Sequence, residues 1–182
     1  ATDTFVDGLG DLLDDRDRAT LAECVDVAYD WALARASRFA LVHGDYRLDN
    51  LLFPTVRDAA PPDARRVVAV DWQTLSLALP ARDLAYVLGT GLAVADRRAY
   101  EQQLVRAYHD ALLRFGVAGY TLDDCWDDYR FAMLQGPLVS VFGCAYGTRS
   151  PRGDRMFAAM VTRACAAIRD LGTLDAVRGE SP

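Results

Sequence analysis

Lysine is missing altogether. The 20 basic side chains of this 182-residue chain are all arginine, and none forms a block longer than a pair such as Arg65-Arg66 or Arg97-Arg98. With a net charge of -6, this argues against nucleic acid as a partner, because phosphate-backbone binding needs several clustered cations. Cysteine is scarce and scattered: Cys24, Cys125, Cys144 and Cys165 include no CxxC pair, and only two histidines accompany them. A structural zinc site therefore has poor material, and buried free thiols in a reducing compartment are the plain reading. No run of 18 or more apolar residues occurs, and the opening "ATDTFVDGLG" has neither the basic start nor the apolar core of a signal peptide. No membrane span is expected, and cytoplasmic is the default location. A GxSxG elbow is absent as well, which leaves a serine hydrolase without its nucleophile.

What the chain does have is core material: 52% of its residues are hydrophobic, enough for one ordinary core. Asp14 to Ser37 opens in an acidic, cap-rich run and then carries Leu21, Cys24 or Val25, Ala28, Trp31 and Arg35 at helical spacing, which predicts a helix over 14–37. "NLLF" at 50–53 and "VVAV" at 67–70 predict a small hairpin, with the Pro- and charge-rich "PTVRDAAPPDARR" as its long solvated tip. The chain then reads as irregular to Pro80, followed by a helix from Ala81 toward Gly89 or Gly91. From Arg98 to Phe115 the spacing predicts a helix with Tyr100, Leu104, Tyr108, Leu112 and Phe115 on its apolar face, leaving His109 inert on the polar side. Thr121 or Asp123 caps a further helix that Gly136-Pro137 should break, and Arg155 to Leu171 reads as a final helix stopped by Gly172. The expected fold class is α+β, mainly helical, without internal repeats or a domain linker.

The chemistry sits in "LVHGDYRLDNLLF" (41–53) and "VVAVDWQ" (67–73). Asp45 lies in a loop behind a short apolar run, Asn50 begins the first hairpin strand, and Asp71 ends its partner. Paired strands would bring Asn50 and Asp71 to neighbouring ladder ends. One amide oxygen and one carboxylate there suit Mg²⁺, which keeps most of its shell for water and phosphate. Asp45 would stay free to orient a hydroxyl, the division of labour that phosphoryl transfer requires. Taken singly, each of these residues is equally a local turn cap.

Together, "HGDYRLDN", "VVAVDWQ" and "PARDLAYVL" resemble the catalytic core of the aminoglycoside phosphotransferase-like, or choline-kinase-like, enzymes of the protein-kinase-like superfamily. The Asp-Trp-Gln at 71–73 resembles the variant seen in ecdysteroid-kinase-like branches, which weakens the case for an aminoglycoside acceptor. The resemblance implies the C-terminal lobe of a protein-kinase-like fold, with ATP as donor, Mg²⁺ as cofactor and a small-molecule hydroxyl as acceptor. It divides the chain into a helix (14–37), a catalytic loop, hairpin and metal-binding Asp (41–73), and a helical acceptor-site region (81–172). It makes Asp45 the catalytic carboxylate and Asn50 and Asp71 the metal and nucleotide ligands. It sets Arg47 toward the transferring phosphate, where a surface salt bridge to Asp49 is the plainer reading. His43, Gly44, Asp83 and Trp72 become structural supports of the loop.

Asp123, Asp124, Asp127 and Asp128 could attract an amine, but favourable placement at a helix N-terminus explains them better. Trp126, Tyr129, Phe131, Phe142 and Tyr146 could line an acceptor pocket or fill the core. Nothing before Asp45 matches the N-terminal lobe of such enzymes, and "DGLGD" at 7–11 lacks the flanking strands of a nucleotide loop. The resemblance therefore implies a fragment whose N-terminal lobe lies elsewhere in the intact protein, inactive when isolated. Two alternatives stand beside it: a catalytically inactive binding or scaffolding module, and a metal-assisted phosphohydrolase that would need further metal ligands.

Overall fold

The computed structural model describes residues 2–54 and 67–179. Eight helices and four short strands occur among them: α1 (Thr2–Leu9), α2 (Asp15–Leu33), β1 (Ala40–Val42), β2 (Leu51–Leu52), β3 (Val68–Ala69), β4 (Ser76–Ala78), α3 (Ala81–Gly91), α4 (Val94–Arg114), α5 (Leu122–Ala132), α6 (Gln135–Tyr146), α7 (Pro151–Leu171) and α8 (Thr173–Arg178). This is a mostly helical α+β fold with a small antiparallel hairpin, as the sequence indicates. No division into two lobes is discernible among the described residues. Beyond Pro54, the connection expected at the hairpin tip lies outside them. No described helix is long and apolar enough to cross a membrane.

The helices begin where side chains can satisfy their free amides. Asp14 accepts from Asp17 N at 2.7 Å, Thr121 and Asp124 form a reciprocal capping box, and Ser150 accepts from Gly153 N just ahead of Pro151. Each such cap stabilises its helix by about 1 kcal/mol. Gly172 ends α7 in the left-handed conformation, yet the chain continues into α8. The final helix expected at 155–171 thus starts earlier and is not the last. "DGLGD" falls in α1 and the single 3-10 turn after it, with Phe5 and Leu9 buried against Val141, Val161 and Cys165. All four cysteines are buried and free.

The strands are nested. β2 pairs antiparallel with β3 (Leu51↔Ala69, Leu52↔Val68), and β1 pairs antiparallel with β4 around them (Ala40↔Ala78, Leu41↔Leu77, Val42↔Ser76). The segment expected to be irregular before Pro80 therefore contains a strand. Its pairing with β1 closes the base of everything from His43 to Leu75.

α4 corrects the sequence reading most clearly. Its buried positions are Arg97, Glu101, Val105 and His109, while Tyr100, Leu104 and Phe115 are exposed. Pairing outweighs apolarity here. Arg97 bonds Glu101 at 2.5 Å and also Asp170, Tyr129 donates to Glu101 at 3.1 Å, and His109 Nε2 meets Tyr120 O at 2.9 Å. A polar group loses little on burial when its partners travel with it.

Candidate active site

The loop leaving β1 is gripped almost wholly by side chains. Asp83, in the first turn of α3, accepts from His43 N at 2.6 Å and Gly44 N at 2.9 Å. Thr74 Oγ1 donates to His43 O at 2.7 Å, and Gln135 Nε2 at the start of α6 donates to Gly44 O at 3.0 Å. Asp45 N donates to His43 Nδ1 at 3.3 Å, and Asp45 O accepts from Asn50 Nδ2 and Arg47 N, both at 2.9 Å. All six backbone polar groups of His43, Gly44 and Asp45 are thereby paired without a strand or helix to pair them. Gly44 is obligatory in this arrangement: its φ is +85°, and an added Cβ would stand 2.7 Å from Thr74 O.

His43 ties the loop to the hairpin. Its ring is buried, Nε2 lies 2.8 Å from Val70 O, and Nδ1 faces Asp45 N. A carbonyl only accepts and an amide only donates, so the ring is the Nε2–H tautomer. Trp72 lies against it at 4.8 Å between centroids but remains half exposed, with Nε1 donating to Ala69 O at 3.0 Å. Burial pushes the Asp83 carboxyl above the usual carboxylate range, with the two amides it accepts offsetting part of the rise.

Asp45 keeps 22% of its side chain exposed. Its Oδ2 lies 3.1 Å from Asn50 Nδ2 and 3.4 Å from Arg47 Nε, so Arg47 pairs with Asp45 and not with Asp49. Asn50, the single asparagine of the sequence, spends its amide hydrogens on Asp45, and its Oδ1 accepts no hydrogen bond from the described residues. Val70 N donates to Asn50 O at 2.9 Å, which extends the β2–β3 ladder and places Asp71 next to that end. Asp71 is exposed, and its carboxylate makes no hydrogen bond or ion pair to the described residues. Its backbone is left-handed (φ 65°, ψ 56°), a conformation costing a non-glycine residue about 1–2 kcal/mol. Strain of this kind gathers at functional positions. Among the described residues, no group of three or more His, Cys, Asp or Glu is placed to hold a metal.

Asp45 opens onto a cavity of about 490 Å³ whose walls include Tyr86, Val139, Phe142, Tyr146 and Phe157. The aromatic set picked from the sequence thus divides. Tyr129 and Phe131 are core, Trp126 packs on Tyr129, and Phe142 and Tyr146 pack on each other at a tilt in the wall of the cavity that Asp45 also lines. A second cavity of about 550 Å³ lies elsewhere, between Arg38, Leu41, Tyr108, Leu112 and Asp128, with Asp128 of the acidic cluster in its walls but none of the loop or metal-ligand candidates. Three of the four residues of the acidic cluster serve the fold. Asp124 completes the cap, Asp127 bonds Arg35 at 2.8 Å, and Asp128 bonds Arg35 (2.6 Å), Arg38 (2.9 Å) and Tyr120 (2.9 Å).

Three residues around the loop escape the sequence reading: Thr74, Tyr86 and Gln135. Tyr86 carries a usable signal, because it follows Asp83 by three residues on a helix and so shares its face. Gln135 carries none, since 91 residues separate it from Gly44.

The sequence profile of the ecdysteroid kinase-like family matches residues 16–116, which takes in the loop, the hairpin and α3. Among curated proteins, the chain is 43% identical over 54 residues to mouse acyl-CoA dehydrogenase family member 10 and 40% identical over 47 residues to chicken acyl-CoA dehydrogenase family member 11. Those stretches are 30% and 26% of this chain but only 4% and 5% of the two relatives. No solved structure matches it.

Proposed function

Because this chain belongs to the ecdysteroid kinase-like family, we propose that it is the C-terminal, catalytic lobe of a Mg²⁺- and ATP-dependent kinase that phosphorylates a hydroxyl of a small molecule. The observation that carries this reading is the setting of Asp45: a carboxylate on a fully paired loop, open to a cavity large enough for an organic acceptor. Asp45 aligns the acceptor hydroxyl and takes its proton late in transfer. Alignment is the larger contribution, since a carboxylate is a weak base at neutral pH. Arg47, beside it and partly exposed, faces the transferring phosphate.

Asn50 Oδ1 and the Asp71 carboxylate would hold the metal. The donor set fits: neither oxygen is claimed by the described residues, and one amide with one carboxylate leaves the positions that Mg²⁺ fills with water and phosphate. Bound there, the ion would neutralise charge on the phosphates of the donor. Leu52, Phe53 and Val68 on the hairpin are exposed, which suits a surface that adenine and an N-terminal lobe would cover. The acceptor is an alcohol with an apolar body and no ammonium group, because the cavity walls are chiefly aromatic and aliphatic and, beside Arg47, include no carboxylate but Asp45. A match over 4% or 5% of a relative does not transfer the activity in that relative's name.

The two carboxylates can be separated by calorimetric titration of Mg-ATP into the full-length gene product. Asp71→Ala, which removes the oxygen, should weaken binding by about tenfold or more, since even partners behind a metal ligand are worth about 10–100-fold in metal affinity, whereas Asp45→Asn should bind like wild type. Equal loss in both variants, or none in either, contradicts the assignment.

A further inference from the structure

The peptide that leads into Asp45 is held at both of its polar atoms. Its oxygen, Gly44 O, accepts from Gln135 Nε2 at 3.0 Å, and its nitrogen, Asp45 N, donates to His43 Nδ1 at a longer 3.3 Å. Gln135 is buried and is the first residue of α6. Four, seven and eleven residues further on come Val139, Phe142 and Tyr146, which share its face of the helix and lie in the wall of the Asp45 cavity. We propose that Gln135 is a positioning residue for phosphoryl transfer, tying the helix that walls the acceptor cavity to the peptide that aims Asp45. The inference rests on the catalytic reading of Asp45 given above.

The glycine at position 44 makes such a tie necessary. Its close approach to Thr74 O excludes a side chain, and a glycine restrains its own ψ least of all residues. Rotation about that ψ turns the plane of the Gly44–Asp45 peptide. The bonds from Asp83 to His43 N and Gly44 N, and from Thr74 to His43 O, all lie upstream of the rotating bond. Asp45 O, which Asn50 and Arg47 hold, belongs to the next peptide. Without Gln135, the plane would therefore rest on the 3.3 Å contact with His43 alone.

The helix is a firm anchor for the tie. Gly136, the residue after Gln135, comes so close to α7 that an added Cβ would stand 2.8 Å from the Cβ of Ala164. With its first turn fixed there, α6 carries the cavity wall and the Gly44 carbonyl as one body. The acceptor hydroxyl and the carboxylate thereby keep their separation, which is what in-line transfer demands.

Gln135→Met keeps the length of the side chain and deletes its donor; Gln135→Glu keeps the shape and replaces the donor by an acceptor. In the full-length protein, with Mg-ATP and the acceptor the wild type phosphorylates, kcat should fall roughly 10–100-fold in both, the range for a small misplacement of a reacting group. KM for acceptor and for ATP should stay within about twofold, since uniform binding is untouched. Val139→Ala, an apolar change on the same face of α6, should do the reverse, raising acceptor KM while kcat is kept. An unchanged kcat in either Gln135 variant, or an equal loss of kcat in Val139→Ala, overturns the proposal. If the wild type phosphorylates no acceptor, the kinase reading fails on that result, and amide hydrogen exchange decides the tie separately. Faster exchange in the Gln135 variants confined to residues 43–50 supports it. Unchanged exchange there, or a rise shared equally by α7, overturns it.

Discussion

Replacing Gly44 by alanine tests how tightly the loop is held. Two costs meet at this position. A non-glycine residue in the left-handed region costs about 1–2 kcal/mol, and the φ of Gly44 is +85°. In addition, the new Cβ would lie 2.7 Å from Thr74 O, a backbone atom that cannot swing away like the end of a side chain. Relief requires the loop to shift against Thr74, which also bonds His43 O at 2.7 Å. Such a shift stretches at least one of the amide bonds to Asp83, and hydrogen bonds to charged groups are worth about 1.5–3 kcal/mol each. The total is about 3–5 kcal/mol.

Gly116 provides the control, with φ +92° and nothing within 4 Å of an added Cβ; Gly116→Ala should show the conformational cost alone, about 1–2 kcal/mol. At a urea m-value of about 2 kcal/mol/M, Gly44→Ala should lower the midpoint by about 1.5–2.5 M, against about 0.5–1 M for Gly116→Ala. Equal shifts in the two variants would refute the close approach between Gly44 and Thr74 as the constraint.

Two further outcomes follow from the same geometry. Hydrogen bonding from Arg98, with the charge of Arg97 beside it, holds the Asp170 carboxyl below the usual range. Its stabilising contribution is therefore complete above the unfolded carboxyl value of about 3.9 and is lost as pH falls through the lower folded value. Asp83, raised by burial, acts in the opposite sense across the acid range, so the informative comparison is with Asp170→Asn: wild type should lose more urea stability than this variant between pH 5 and pH 2. Asp71→Gly should leave stability unchanged or raise it by up to about 1 kcal/mol, because glycine carries no left-handed penalty, while Mg-ATP affinity measured by calorimetry falls. A marked loss of stability in that variant would mean the Asp71 side chain supports the fold.

The order Asp45, Asn50, Asp71 and the hairpin between them are legible in the sequence because they depend on local spacing: a short apolar run, an Asn at its start, an Asp at the end of its partner. The helix stops at Gly116 and Gly172 are legible for the same reason. β4 is not, because Ser76–Ala78 is three residues long and becomes a strand only through its pairing with β1. The buried face of α4 reads wrongly because the partners of Arg97, namely Asp170 on α7 and Glu101 with Tyr129 behind it, are invisible to a periodicity of apolar residues. Gln135 and Thr74 join the loop only through tertiary packing, and no local spacing marks either of them. Around Asp45, the loop itself can be read locally, while the residues that hold it rigid are set by the arrangement of α3 and α6.

The most direct test is phosphate transfer from γ-labelled ATP by the full-length gene product, with and without Mg²⁺, to a sterol, a long-chain alcohol and an aminoglycoside, alongside Asp45→Asn. The account predicts a Mg²⁺-dependent phosphorylated product from an apolar alcohol, made by the wild type and lost in Asp45→Asn. Transfer undiminished in Asp45→Asn, or confined to the aminoglycoside, would contradict it.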